Sequence, residues 1–243
     1  MNIVRFLTCL GLILCPLRPA LANSGSAVGG ATVEDGKTAV EFRVADGEDD
    51  KASADKRLRT RVHIDHAFNG LYAARLVIFQ DKRKGANSEH DGISLQNRFH
   101  FIKKEKYGFD GGMRLNYTYA DGDKKPDEVS LRFYQQIPVE KWEMRFNQII
   151  EHETGQDADS GVFLEWRSQV TRAVNDNTRL GIDFFHDFGN MRQQNGYSAQ
   201  HHAIGPVVKT KFGGGYSMEA AYRVGISRDA PDQTATLILT KSW

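Results

Sequence analysis

Cysteine is nearly missing from this chain of 243 residues: Cys9 and Cys15 are the only two. Both lie in an N-terminal stretch that reads as a secretory signal. Met1–Val4 carries no acid, Arg5 is a lone positive charge, and Phe6–Leu14 is apolar except for Thr8 and Gly11. Ala20-Leu21-Ala22 puts small residues where a signal peptidase reads, so residues 1–22 are expected to be a signal peptide cleaved after Ala22. The apolar run falls short of the roughly 20 residues that a membrane-spanning helix needs. Leu14 and Pro16 flank Cys15, where a lipoprotein signal would carry small residues. The expected mature chain has no cysteine, which excludes a disulfide framework and a thiolate metal site.

Excess charge of one sign is missing too. Loss of Arg5 and Arg18 with the signal takes Lys+Arg from 32 to 30 against 31 acids, a net charge near −1. That excludes a uniformly basic nucleic-acid binder. After the signal no apolar run approaches the length of a spanning helix, so a helical inner-membrane protein is excluded. Mean hydropathy is negative, as in a soluble protein or in a transmembrane barrel whose alternating strands average out. Catalytic signatures are absent as well: there is no HExxH, no Gly-x-Ser-x-Gly and no His-x-Ser pair. Gly111-Gly112 and Gly213-Gly214-Gly215 have no following Lys-Ser/Thr and read as strand starts or turns, not phosphate loops. No cofactor is expected.

What the chain does have is period-two alternation. Residues 23–37, small, polar and glycine-rich, read as a flexible lead-in. Residues 38–243 resolve into twelve predicted strands, at 38–45, 57–68, 71–79, 93–102, 108–119, 128–136, 142–152, 161–173, 178–187, 201–212, 215–226 and 234–243. In the eighth, Val162, Leu164, Trp166 and Val170 oppose Glu165, Arg167 and Gln169; in the ninth, Leu180, Ile182 and Phe184 oppose Arg179 and Asp183. Apolar residues do not recur at three and four, so helices do not fit. Several strands are near the ~9–11 residues that cross a bilayer at a tilt.

The connections alternate short and long. Asn69-Gly70, 103–107, 137–141, 174–177 and Gly213-Gly214 are short; 46–56, 80–92, 120–127, 153–160, 188–200 and 227–233 are long. Outer-membrane barrels have short periplasmic turns and longer extracellular loops. Phe68, Tyr72, Phe101, Tyr107, Phe109, Trp142, Phe212, Tyr216 and Trp243 cluster at the short-turn ends, as an interfacial girdle would. The fold class is therefore all-β: an antiparallel up-and-down transmembrane β-barrel of about twelve strands.

The last strand alternates through Ala235, Leu237 and Leu239 to a terminal aromatic, Trp243. It resembles the closing strand of bacterial outer-membrane β-barrel proteins, by which their assembly machinery recognises them. Lys241 departs from that apolar face but lies near the end, where a lysine can snorkel. The resemblance implies secretion to the periplasm and residence in a Gram-negative outer membrane, with outer-membrane lipid and the assembly machinery as partners. The stretch from Ile204-Gly205-Pro206 through Ala230-Pro231-Asp232 to Trp243, about a sixth of the chain, is also similar to uncharacterised proteobacterial outer-membrane proteins. It implies location, not activity.

The face expected to line the lumen carries Arg43, Arg57, Arg59, Arg61, Arg75, Arg98, Arg114, Arg132, Arg145, Arg167, Arg179, Lys209, Lys211 and Arg223. Its acids are Glu41, Asp65, Glu143, Glu151, Glu165, Asp183 and Glu219, an expected excess of about seven positive charges. Rings of Arg or Lys are one basis of anion selectivity, and a guanidinium grips carboxylate or phosphate with two donors. Arg43, Arg59, Arg61, Arg98, Arg114, Arg132, Arg145, Arg167, Arg179 and Arg223 are the candidate anion-binding residues. Small anions or acidic oligosaccharides are the candidate solutes. Small twelve-stranded porins for acidic sugars are similar in architecture, although no diagnostic motif ties this chain to them. The competing reading pairs these arginines with lumen acids and water as filling of a narrow barrel.

Five histidines, His90, His152, His186, His201 and His202, fall near the outer rim beside Glu151, Glu153 and Asp187. Of these, His152, His186, His201 and His202 are the candidate metal ligands; simple solvation is the competing reading. Three function classes follow: a porin-like channel, a closed barrel whose loops at 46–55 and 188–200 bind a partner or surface polymer, and a lipid-modifying enzyme. The missing motifs weigh against the third.

Overall fold

The computed structural model describes residues 26–49, 57–82, 90–121, 126–155, 158–193 and 196–243. The expected signal peptide and residues 50–56 of the acidic loop lie outside them. Twelve strands run in chain order: β1 (Thr38–Glu48), β2 (Arg57–Asn69), β3 (Tyr72–Lys82), β4 (His90–Ile102), β5 (Asp110–Asp121), β6 (Asp127–Val139), β7 (Trp142–Thr154), β8 (Phe163–Ala173), β9 (Thr178–Asn190), β10 (His201–Lys211), β11 (Tyr216–Gly225) and β12 (Gln233–Ser242). Each pairs antiparallel with its sequence neighbours, and β1 pairs with β12 to close the barrel. The two ends are tied by exchanged backbone bonds, Thr38 N–H to the Trp243 carbonyl at 3.3 Å and Trp243 N–H to the Thr38 carbonyl at 2.9 Å. Closure satisfies every strand's second edge, so no ladder is left open to pair with another chain.

Alternation turns the usual protein inside out. On β9, Leu180 and Ile182 face outward and are exposed, while Asp183, the residue after Ile182, is completely buried. The same holds around the barrel: Phe42, Ile64, Ile78, Leu95, Leu115, Phe133 and Leu239 are exposed. The most buried side chains include Arg167, Gln169, Asn147, Thr171 and Asp183. A belt this apolar and contiguous is unstable against water and stable against hydrocarbon. At the short-turn end the aromatics gather as expected. Arg172 lies 5.8 Å over Trp142, and Lys241 lies 4.3 Å over Tyr216 and 5.5 Å over Trp243. The cation on the closing strand thus has an aromatic seat at the rim.

Some strand ends and turns depart from the sequence reading; the expected connection at 137–141 shrinks to Glu140-Lys141. The turn after β4 is longer than expected and holds a helical turn, α1 (Lys104–Tyr107), which ends on Gly108 at φ 80°. Several strands also run past the expected ends at the long-loop side, as at 46–48, 80–82 and 90–92. Beyond the apolar belt both faces are polar, so hydropathy loses the period while the hydrogen-bonded ladder continues.

The ladder between β10 and β11 has a gap. The pairing of β10 with β11 passes from Ile204 to Val207 without Gly205 and Pro206. Pro206 has no N–H to give and points outward. At Gly205 a Cβ would stand 1.8 Å from the Tyr222 carbonyl oxygen, so only glycine fits this close approach.

Candidate functional site

The barrel encloses a cavity of about 1640 Å³. Residues 26–37, which composition made a flexible lead-in, enter it from the short-turn end. Their path climbs the inner wall. Val33 packs with Ala67 and Ala73, and its N–H reaches His100 Nδ1 at 3.3 Å. Ala31 N–H donates to Gln136 Oε1 at 3.0 Å. Asn147 grips the Gly29 residue both ways, accepting from its N–H at 2.8 Å and donating to its carbonyl at 3.0 Å. Arg98 donates to the Gly30 carbonyl at 2.9 Å, and Arg223 to the Ser26 carbonyl at 3.4 Å. Ser26, Ala27, Val28, Ala31 and Val33 are buried. Small side chains are what the narrow space admits: a Cβ on Gly29 would lie 2.7 Å from the Tyr134 ring.

All ten candidate arginines sit on the inward parity of their strands, and nine of them line the large cavity; Arg223 lines a small neighbouring pocket. Their partners divide them. Arg43 pairs with Glu41 at 2.6 Å, Arg145 with Glu143 at 2.7 Å, and Arg223 with Asp183 at 2.7 Å. Arg167 pairs with Glu165, and Arg57 and Arg59 share Asp81. Arg75 and Lys209, also inward, take Asp65 and Glu219. Arg61 lies opposite Arg43 in the β1–β2 ladder. Arg179 is held by the Thr171 hydroxyl and by the Thr171 and Lys141 carbonyls.

Arg98, Arg114 and Arg132 stand together. They face one another in register across β4, β5 and β6, forming a ridge of three guanidinium groups. None has a carboxylate partner among the described residues. Arg98 is bound to the Gly30 carbonyl, Arg114 donates to Gln96 Oε1 at 3.0 Å, and the Nε–H groups of Arg114 and Arg132 have no acceptor. Tyr134 lies beneath Arg98 and Arg132, its ring centre 5.7 and 6.0 Å from them. Farther round the wall carboxylates dominate: Glu165 opposes Asp187 in register, with Glu151 nearby on β7.

The expected charge excess of seven needs correction. Asp81, Asp110, Glu128, Glu153 and Asp187 also face inward, bringing the described inward acids on the strands to twelve against fourteen bases. Asp81, Glu128 and Glu153 fall at strand ends or in segments that hydropathy had assigned to loops or left unsided. What distinguishes the lumen is where the charges stand rather than their sum. His63 and His100 face inward as well and carried no recognisable signal: His63 bonds Glu41 at 3.0 Å, and His100 bonds Asp110 at 3.0 Å.

The four candidate metal histidines do not converge. His186 and His202 face outward and share an Nδ1–Nδ1 hydrogen bond of 3.0 Å, with His202 Nε2 on Gln200 at 2.9 Å and Tyr197 stacked at 4.5 Å. His201 faces the lumen beside Asp187 at 3.9 Å, and His152 bonds the Gly161 carbonyl at 2.7 Å. The side chain of His90 lies outside the described residues. Adjacent positions on a strand point to opposite faces, which separates His201 from His202. No group of three or more metal-ligating side chains occurs among the described residues.

No protein-family model matches the chain. No curated protein matches it in sequence. Solved structures match its fold. The COG4313 outer membrane channel from Pseudomonas putida F1 superposes with a TM-score of 0.67 at 10% identity, over 90% of this chain and 100% of that one. The KdgM porin gives 0.62 at 5% identity, over 84% and 99%, and has also been solved in complex with disordered oligogalacturonate. The NanC porin gives 0.56 at 8% identity, over 84% and 97%. At such identities the likeness is one of fold: the chain has the closed twelve-stranded architecture of small outer-membrane barrels.

Proposed function

We propose that this chain is an outer-membrane channel of porin type that passes small anionic solutes, with acidic oligosaccharides at the upper end of the range. The observation that carries this reading is the cavity of about 1640 Å³ within a closed, externally apolar barrel, lined by an arginine ridge without carboxylate partners among the described residues. The apolar belt asks for lipid, and the girdle at the short-turn end fits the periplasmic interface. The closing strand, β12, is the feature the assembly machinery would read. An acidic oligosaccharide in complex with a barrel of this fold supports the solute class.

The test is single-channel conductance of the refolded protein in a planar bilayer under a KCl gradient. An anion-biased reversal potential is expected, and Arg132→Glu shifts it towards cations. Arg132 is preferred to Arg59, whose guanidinium is already tied to Asp81. A cation-biased or absent current from correctly folded barrel would overturn the reading. One observation favours a second: residues 26–33 occupy part of the lumen. Were they never to leave and no current to flow, the barrel would serve as a closed platform for its long loops.

A further inference from the structure

The ridge has unused bonding capacity of two kinds, close together. Arg114 and Arg132 are more than nine-tenths buried, and each has an Nε–H without an acceptor among the described residues. Asn116, also buried, donates to Thr118 at 3.0 Å and to Ser130 at 3.2 Å, and its Oδ1 has no donor. Asn116 is two residues beyond Arg114 on the same face and opposite Ser130. It therefore sits about 7 Å along the strand, on the side of the long-loop mouth. Buried polar groups in native proteins find partners, and a guanidinium stays charged, so an anion suits these donors better than water. The Asn116 acceptor asks for a hydroxyl instead. Among the described residues no inward carboxylate competes in the middle of this wall: between Asp110 and Glu128 at its ends, its other inward side chains include Ser94, Gln96, Thr118 and Ser130.

We propose that Arg114, Arg132 and Asn116 form a saturable site for a hydroxylated carboxylate, of the size of a uronic acid. The carboxylate lies against the two guanidinium groups and a ring hydroxyl donates to Asn116 Oδ1. Arg98, held on the Gly30 carbonyl, forms the inner edge. The site is reached from the long-loop mouth, because residues 29–31 cover Tyr134 and Gln136 on the opposite side. This assignment rests on the channel reading for its solute class, but it is tested by equilibrium binding, not current.

The experiment is calorimetric titration of the folded barrel in detergent with galacturonate, galactose and acetate. Galacturonate is expected to bind one to one, with galactose and acetate at least tenfold weaker. Arg132→Gln is expected to weaken galacturonate by tenfold or more, and Asn116→Ala to narrow its advantage over acetate. Arg132→Lys keeps the charge and packing length but loses the fork, and should also weaken binding severalfold. Arg172→Gln, on the outer surface, should leave it unchanged. Absence of saturable binding overturns the proposal. So does acetate binding as tightly as galacturonate, or undiminished binding in Arg132→Lys. Anion-selective current without binding would leave the channel and remove the site; binding without current would do the reverse.

Discussion

Asn147 offers a direct measure of how firmly residues 26–37 are held in the lumen. Its completely buried carboxamide makes two hydrogen bonds to one residue, at 2.8 and 3.0 Å, both to Gly29. Leucine has nearly the same shape and neither bond. Two neutral hydrogen bonds contribute about 2 kcal/mol net, so Asn147→Leu should raise the displaced population roughly 30-fold. Because the described residues contain no cysteine, a single Ala31→Cys provides the probe. Ala31 is buried and its neighbour Thr32 exposed, so Thr32→Cys gives the unprotected rate. A charged thiol reagent should label Cys at 31 about 30-fold faster in the Asn147→Leu background, with longer dwell in a high-conductance state. Gly29→Val, which drives a side chain into the Tyr134 ring, should act the same way. If position 31 labels as fast as position 32 in the parent, or within threefold in both backgrounds, the segment is not held by these bonds.

Other outcomes follow from particular contacts. Asp183→Asn leaves Arg223 buried without its carboxylate and should cost about 3 kcal/mol in urea unfolding from lipid vesicles, with much of it recovered by adding Arg223→Gln. A change below 0.5 kcal/mol, roughly the scatter of neutral surface substitutions, would mean that the pair is solvated. Gly205→Val should prevent β10 from meeting β11, seen as loss of the heat-modifiable folded band on electrophoresis. His202→Ala removes the bonds to His186 and Gln200 and the stack on Tyr197, and should speed proteolysis within 196–200 without altering the barrel.

The strands were legible because lipid on one side and polar lumen on the other impose a strict period of two, as on β9 with Leu180 and Ile182 against Asp183. Each of the twelve observed strands overlaps its expected counterpart. The signal faded where the environment became polar on both faces, so Asp81 and Glu128 escaped the lumen inventory. The segment at 26–37 was illegible for another reason. Gly, Ala and Ser are what an unstructured linker uses, and also what fits against Tyr134 in a narrow bore. Composition cannot separate those causes. The ridge was present in the sequence as three arginines among fourteen bases, but its distinction depends on register, which sets Arg98, Arg114 and Arg132 side by side.

The attachment of that inner segment has a further consequence. Among the described residues its covalent junction with the wall is at Thr38, and residues 26–37 belong to no strand of the sheet. Thermodynamically it is a peptide ligand on a short leash, present at its own receptor at an effective concentration on the order of millimolar. Any solute that contests Arg98 with the Gly30 carbonyl must compete with this tethered occupant. A barrel shortened to begin near Thr38 should accept a free peptide of sequence 26–37 in its place. The concentration at which that peptide restores the narrow lumen would report the strength of the leash.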